Sequence, residues 1–382
     1  MSRVSFINGA VLTPHQTVPS LSFDGERITS VGAGPQKDAE TIDLGGGYLL
    51  PGFIDTQVNG GGGVLFNDDT SVAAIAAIGK AHSQYGTTAF LPTLISDELD
   101  VIDAAMRATE AAIERGVPGV LGLHIEGPFI SEMRKGTHDA SKFRTLNEKS
   151  LRLLSSLRCG KTLVTLAPET CTPEDIRTLK AAGVIVAAGH TDATYATMHD
   201  AFEAGVTGIT HLFNAMSPFT HRAPGVVGAA LENQSAYCGI IVDGRHVDPA
   251  ALRVAVSCRP HERFMLVTDA MPTVGSATKM FKLQGKTIRV ENGVCVGEDG
   301  TLAGSDLDMA TAVRNSLSML RLDLKTVSAM ASRAPAQFLG LAPDYGGLTV
   351  DARADLVWLD AKMQVAGVWI GGQRVFEPVM AY

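Results

Sequence analysis

Histidines and carboxylates recur in this sequence directly after short runs of apolar, often β-branched residues. Glu126, His190 and His211 follow the runs 120–125, 184–189 and 208–210. One carboxylate and two imidazoles form a donor set that binds a divalent cation and leaves a coordination position open. A metal ion at such a site lowers the pKa of bound water to about 7. The residue types therefore predict a metal-dependent hydrolytic site.

Asp269 follows a fourth run of this kind, 264–268. A carboxylate beside activated water can accept a proton during attack and deliver it to the departing group. A role as a fourth metal ligand is an alternative that remains open. His124 lies two residues before Glu126, on the same side of a strand, where it could support the metal ligands or simply pack.

The elements that must position these residues alternate along the middle of the chain. Candidate strands end near Asp55, Thr93, Glu126, Pro168, His190, His211, Asp243 and Asp269. The segments between them, such as 71–85, 97–115, 173–182 and 195–204, have helical spacing and are followed by glycine. Eight such units predict an α/β fold, a (β/α)8 TIM-like barrel over residues 51–345, whose catalytic groups lie at the carboxyl ends of its strands.

The two ends of the chain have a different pattern. Residues 1–50 and 346–382 contain short strands joined by turn dipeptides such as Asn8-Gly9 and Asp24-Gly25. Neither end could bury a core alone, so we expect both to form one small β-sandwich domain. Asn292-Gly293 and Asp299-Gly300 predict a β-ribbon inserted near 286–303.

Composition limits the class of partner. The chain has 382 residues, 45% hydrophobic and 19% charged, with a net charge of −8, which argues against nucleic acid as a partner. The five cysteines include no C-x-x-C pair, and no long apolar run is present. We expect a soluble, cytoplasmic protein that binds neither nucleic acid nor membrane.

Six motifs together resemble a known family. They are Leu50-Pro51-Gly52-Phe53-Ile54-Asp55, His124-Ile125-Glu126-Gly127-Pro128, Lys135-Gly136-Thr137-His138, Ala188-Gly189-His190, Thr210-His211-Leu212-Phe213-Asn214-Ala215-Met216 and Val267-Thr268-Asp269-Ala270. The first indicates only the amidohydrolase superfamily. The second and fifth are more specific, and the whole set, in this order over nearly the whole chain, resembles the N-acetylglucosamine-6-phosphate deacetylase family.

The resemblance implies roles for the residues above. Glu126, His190 and His211 would bind one divalent metal ion per subunit, and Asp269 would act as general base and acid. Zinc is the first expectation, although Fe²⁺ and Co²⁺ suit the same donors. Gln57 and Asn59 stand where superfamily relatives carry His-x-His. Neutral amides are poor anchors for a second cation but can hydrogen-bond inside the barrel mouth.

The resemblance also implies how a substrate is held. His138 would donate a hydrogen bond to the acetyl carbonyl, whereas its residue type alone favours a solvated loop histidine. Arg222 and His246 would contact a phosphate, and in a homodimer Arg222 would reach the neighbouring site. The remaining predicted substrate contacts are Thr137, Asn214, Ala215, Asp243, Gly244, Leu302, Ala303, Gly304, Gln57 and Asn59.

The expected activity is metal-dependent hydrolysis of N-acetyl-D-glucosamine 6-phosphate to D-glucosamine 6-phosphate and acetate, in amino-sugar catabolism or cell-wall recycling. Three alternatives remain. N-acetylgalactosamine 6-phosphate differs at one hydroxyl. A cyclic-amide hydrolase usually needs His-x-His and a lysine on the fourth strand, where this chain has Gln57-Val58-Asn59 and Leu166-Ala167-Pro168-Glu169. A non-catalytic sugar-phosphate binding protein could dispense with Asp269.

Overall fold

A computed structural model describes residues 3–378. Its centre is one sheet of eight parallel strands in sequential order. They span Phe53–Val58, Thr87–Ile95, Gly122–Glu126, Lys161–Leu166, Ile185–Ala188, Gly208–Ile209, Tyr237–Ile240 and Phe264–Leu266. The first strand continues past Asp55, where it was expected to end, so Gln57 lies on the strand itself. The predicted (β/α)8 fold class is confirmed.

The barrel closes between the end of its first strand and the residues that follow its last strand. Val58 forms a parallel bridge with Ala270, and the Asp269 amide donates to the Gln57 carbonyl at 3.0 Å. The closure therefore places Asp269 beside the end of the first strand.

Helices surround the barrel because each has an apolar side that packs on the strands. Those after the eight strands are Val72–Ser83, Leu99–Glu114, Glu148–Leu154, Pro173–Ala181, Tyr195–Ala204, Gly225–Glu232, Pro249–Cys258 and Met309–Met319. Short 3₁₀ turns occur at Glu132–Arg134, Ala140–Lys142, Pro168–Thr170 and His261–Arg263. No helix in the described part of the chain is long and apolar enough to span a membrane.

Two further helices, Leu324–Ala331 and Arg333–Phe338, follow the barrel. Phe338 and Ala334 belong to one buried cluster with Ile54, Leu91 and Met265 from the barrel strands. These apolar side chains fill one end of the barrel, and the polar groups of the strands lie at the opposite end, where the carboxyl ends of the strands are.

The chain ends form two sheets beside the barrel. One sheet consists of the strands Arg3–Ile7, Leu21–Asp24, Arg27–Val31 and Glu40–Asp43. The other consists of Ala10–Leu12, Thr17–Val18, Tyr48–Pro51, Leu356–Leu359, Val365–Ile370 and Gln373–Phe376. A shared core includes Phe6, Phe23 and Trp369, with the Phe6 and Trp369 rings edge to face, their centroids 4.9 Å apart.

The insertion after the eighth strand is larger than a single hairpin near 286–303. Four antiparallel strands, Met280–Leu283, Lys286–Glu291, Val294–Gly297 and Leu302–Ser305, form a sheet of their own. It packs through Leu283 and Ile288 in a buried cluster with Met271 and with Leu65, beside the short strands Gly60–Gly61 and Val64–Leu65. The last strand thereby reaches the barrel mouth.

Candidate active site

Three strand ends bring the predicted metal ligands together. Glu126 is the last residue of the third strand, while His190 and His211 each lie two residues beyond the fifth and sixth strands. His190 and His211 have φ angles of 49° and 30°. Such left-handed backbone is uncommon outside glycine and concentrates at functional sites.

The three side chains are buried and in contact. His211 Nε2 lies 2.9 Å from Glu126 Oε1, and His190 Nε2 lies 3.2 Å from the same oxygen. The two Nε2 atoms are 3.0 Å apart. Burial acts to raise the pKa of the Glu126 carboxyl, but the two adjacent imidazoles hold the pKa well below its usual range.

This arrangement fits a divalent cation. His190 Nδ1 lies 2.9 Å from the Arg134 carbonyl, which can only accept, so Nδ1 carries the hydrogen and Nε2 presents a lone pair. That lone pair converges with the Glu126 oxygen and with His211 Nε2. Zinc bonds of about 2.0–2.2 Å at tetrahedral angles separate ligand atoms by roughly 3.4 Å, close to the observed spacing.

His138 is a fourth donor near this cluster. One ligand atom from each of Glu126, His138 and His190 lies within 4.8 Å of the others. However, the Ser96 amide donates to His138 Nδ1 at 3.3 Å, which leaves the hydrogen of the neutral ring on Nε2. Burial lowers the pKa of His138 to about 3. The His138 imidazole is therefore neutral and presents a hydrogen on Nε2, whereas His190 presents a lone pair on its Nε2.

Asp269 follows the eighth strand with a φ of 52°. Its Oδ1 accepts hydrogen bonds from Asn59 Nδ2 at 2.6 Å and from Gln57 Nε2 at 3.2 Å. Burial, with a smaller contribution from the Glu126 charge, raises the pKa of Asp269 to about 6. A carboxyl with a pKa in this range can both accept and release a proton near neutral pH.

Gln57 connects the two carboxylates. Its Nε2 also lies 3.1 Å from Glu126 Oε1 and 3.2 Å from Glu126 Oε2. Gln57 is not on the wall of the large cavity described below, whereas Asn59 is. Both amides thus hydrogen-bond to acidic side chains of the site.

The His124 ring is hydrogen-bonded to hydroxyl groups and not to the three predicted metal ligands. Its Nε2 is 2.8 Å from Thr165 Oγ1, which in turn is 2.6 Å from Thr210 Oγ1. Burial lowers the pKa of His124 to about 4, so the ring is neutral. His124, Thr165 and Thr210 therefore form a buried hydrogen-bonded chain, which ends at the residue before His211.

A cavity of about 350 Å³ opens over these groups. Its wall includes the predicted residues Asn59, Glu126, Thr137, His138, His190, His211, Asn214, Ala215, His246, Asp269, Leu302 and Gly304. Met133, Arg134, Gly136 and Thr301, which were not predicted, also border it. Gln57, Arg222, Asp243, Gly244 and Ala303 do not form part of this wall.

Asp243 lies behind His246. Asp243 Oδ2 accepts from His246 Nδ1 at 2.6 Å, and Asp243 Oδ1 accepts from the His246 amide at 2.8 Å. Burial opposes the charge on Asp243, but these bonds keep the pKa of its carboxyl below the usual value. Asp243 therefore orients His246 at the cavity, while Arg222 lies on an exposed loop that does not border this cavity.

Comparison with known proteins identifies the family. The amidohydrolase family model matches residues 48–375. The chain belongs to the amidohydrolase family. Among the curated members it is 44% identical to an N-acetylgalactosamine-6-phosphate deacetylase of Shewanella sp. (strain ANA-3), over 88% of this chain and 86% of that protein. It is 37% identical to the N-acetylglucosamine-6-phosphate deacetylase of Bos taurus, over 97% and 90% of the two chains.

Solved structures of the amidohydrolase family agree with the fold. The N-acetylglucosamine-6-phosphate deacetylase of Pasteurella multocida superposes with a TM-score of 0.94 at 33% identity, covering 97% of this chain and 99% of that one. A second structure is that of a mutant N-acetyl-D-glucosamine-6-phosphate deacetylase of Mycobacterium smegmatis in complex with N-acetyl-D-glucosamine-6-phosphate. It superposes with a TM-score of 0.91 at 32% identity, covering 98% of this chain and 100% of that one.

Sequence reasoning missed one part of this amidohydrolase site. The segment 131–134 contacts His190 through backbone groups, and backbone contacts leave no mark on residue type. The side chains of Arg134 and Asp192 pair at 2.8 Å. The only sign of this contact in the sequence was that Asp192 stands two residues after His190.

Proposed function

We propose that this protein hydrolyses the acetamide of N-acetyl-D-glucosamine 6-phosphate, giving D-glucosamine 6-phosphate and acetate. The observation that carries this function is the buried Glu126, His190 and His211 cluster, which adjoins Asp269 at the base of a cavity of about 350 Å³. Family membership and the named activities of its relatives support the same reaction.

The reaction breaks the bond between the acetyl carbon and nitrogen and forms a bond from that carbon to a water oxygen. Asp269 accepts a proton from the attacking water and transfers it to the departing nitrogen. His138 donates its Nε2 hydrogen to the carbonyl oxygen as negative charge develops there. A divalent cation held by Glu126, His190 and His211 would supply Lewis acidity to this step; we propose zinc, one ion per subunit.

The phosphate end of the substrate needs positive charge and N–H donors. We assign His246, oriented by Asp243, and the backbone at Asn214 and Ala215 to this role. Arg222 does not border the cavity of its own chain; we assign it to the neighbouring site of a homodimer. Thr137, Leu302 and Gly304, on the cavity wall, would contact the sugar, together with Ala303 between the last two.

N-acetyl-D-galactosamine 6-phosphate is a second candidate substrate. The specific observation in its favour is the 44% identity to a relative named for that sugar. The two sugars differ at one hydroxyl, and the chemistry at the acetamide is the same. Comparing kcat/KM for both sugars, with the same preparation, decides between them.

Replacing Asp269 with Asn tests the mechanism. Because Asn retains an acceptor for Asn59 but cannot take up a proton, we expect turnover to fall by roughly 10³-fold while metal content stays unchanged. Acetate release and zinc analysis measure the two quantities. A variant that keeps near-normal turnover would falsify the assignment of Asp269.

The chain organisation is proposed on the same basis. We divide the chain into a small β-sandwich domain, residues 1–50 and 346–382, and a barrel domain, residues 51–345. A cytoplasmic location is supported by the charged sugar-phosphate substrate and by the five cysteines, all of which are free thiols.

A further inference from the structure

A short segment before His138 wraps around His190. The Ser131 amide donates to the His190 carbonyl at 2.9 Å, and the Arg134 amide donates to the Ser131 carbonyl at 3.0 Å. The ring of His190 returns a hydrogen bond from Nδ1 to the Arg134 carbonyl at 2.9 Å. We call residues 131–134 together with 190–192 the clasp.

One side-chain contact completes the clasp. Arg134 Nε donates to Asp192 Oδ1 at 2.8 Å, between side chains that are 34% and 39% exposed. The backbone contacts cannot be removed by substitution without moving the chain, whereas this ion pair can. It joins the residue that supplies the carbonyl to the residue two positions after His190.

The clasp matters because the Arg134 carbonyl fixes the hydrogen of His190 on Nδ1. Only then does Nε2 present a lone pair toward Glu126 and His211. Partners that hold the second nitrogen of a metal-binding histidine commonly change metal affinity by 10- to 100-fold when they are lost. A half-exposed ion pair that acts through that carbonyl should have a smaller effect.

We propose that the Arg134–Asp192 ion pair is a positioning contact that holds the Arg134 carbonyl against His190 and so determines how long the site retains its metal ion. The inference rests on the proposed function, because it takes His190 as a metal ligand. It gives a role in metal retention to Arg134 and Asp192, which contact neither the donor atoms of the metal ligands nor the bond that reacts.

Arg134 also borders the cavity, which suggests a competing role in contacting the substrate phosphate. Asp192 does not border it, so the two roles differ in their consequences. If the ion pair acts through His190, removing either partner should have the same effect. If Arg134 binds the phosphate, only its own removal should matter.

The test is metal release from zinc-loaded, full-length protein into excess of the chromogenic chelator 4-(2-pyridylazo)resorcinol. We expect Arg134→Ala and Asp192→Ala each to speed release by roughly three- to ten-fold. The double variant should be no faster than either single variant, and Arg134→Lys should restore part of the retention. Excess zinc should repair any loss of turnover in Asp192→Ala.

Arg177→Ala is the matched control, since it removes an exposed arginine paired with Glu174 at 3.1 Å on a surface helix. Its zinc release should equal that of the wild type. Circular dichroism establishes that each variant is folded, and Asp192→Asn, which keeps the size of the side chain, replaces Asp192→Ala if that variant is unfolded.

Unchanged zinc release in both single variants would overturn the inference, as would additive effects in the double variant. A raised KM in Arg134→Ala alone, with normal zinc release, would assign Arg134 to the substrate instead. A wild-type protein that binds no zinc would contradict the proposed metal site itself, which separates that failure from failure of the clasp.

Discussion

Gln57 illustrates how a single residue acquires its role from its neighbours. Its amide nitrogen Nε2 lies between two buried carboxyl groups. It is 3.1–3.2 Å from the two Glu126 oxygens and 3.2 Å from Asp269 Oδ1. Two acidic groups in so small a volume need donors or cations to offset their charges. Gln57 supplies part of that compensation.

We predict that Gln57→Leu lowers the free energy of unfolding of the metal-free protein by about 1.5–3 kcal/mol. Hydrogen bonds to charged groups contribute on this order, and leucine has a similar size but no donor. Urea unfolding after chelation measures the change.

Gln364→Leu is the matched control, because Gln364 is exposed in a turn and its loss should change the unfolding free energy by less than about 0.5 kcal/mol. Equal stability of Gln57→Leu and wild type would contradict the role given to Gln57.

At the scale of elements, Asp355 ties the C-terminal strand Leu356–Leu359 to the start of the barrel. Its carbonyl accepts from the Gly52 amide at 2.8 Å, and its Oδ1 accepts from the Gly371 amide at 2.6 Å and from Arg353 Nε at 3.2 Å. Burial nevertheless raises the pKa of Asp355 to about 6.

The raised pKa has a definite sign for stability. The folded state binds the Asp355 proton more tightly than the unfolded state, so this contribution is fully present below the unfolded pKa of about 3.8 and is lost as pH rises through about 6. We predict that Asp355→Asn removes up to roughly 3 kcal/mol of pH dependence between pH 4 and pH 7. Urea unfolding across this range measures it.

Asp43→Asn provides a comparison of opposite sign. The Gly45 amide and Asn8 hold the pKa of Asp43 below 3.8. The contribution of Asp43 to the free energy of unfolding therefore changes only in solution more acidic than pH 4. Between pH 4 and pH 7 the Asp43→Asn curve should run parallel to that of the wild type. An Asp355→Asn curve that does the same would disprove the linkage.

At the scale of the whole molecule, the three proposed metal ligands come from the ends of three different strands, so metal binding would be a property of the folded barrel. A metal ion that binds only the folded state adds about 2.7 kcal/mol at 100 times its Kd. We predict that chelation lowers Tm by roughly 3 °C or more and abolishes turnover, and that zinc restores both. Glu126→Gln should show no zinc-dependent change in Tm in the same calorimetric scan.

The proposed dimer predicts complementation between defective subunits. A mixture of Arg222→Ala and Asp269→Asn protein, exchanged to equilibrium, should recover activity up to about a quarter of wild type, because half of the dimers would be mixed and each would hold one intact site. Acetate release before and after subunit exchange measures this. No gain on mixing would place Arg222 outside the partner's site.

Much of the fold could be predicted from residue patterns. The helix Tyr195–Ala204 has the bounds that spacing predicted, because local periodicity and caps decide such an element. The first barrel strand was cut short at Asp55 because its polar Thr56 and Gln57 resemble a loop. Only burial inside the barrel, with Gln57 2% exposed, extends the strand to Val58.

The amino-acid sequence is enough to predict the alternation of strands and helices, the acidic and imidazole groups at strand ends, and the motifs of the family. These follow from residue type and spacing, which a linear chain records. The tertiary structure alone decided which nitrogen of His138 and of His190 carries hydrogen, that Gln57 joins two carboxylates, and that Arg134 holds His190. Those facts depend on distances between residues far apart in the chain, and such distances exist only once the barrel has closed.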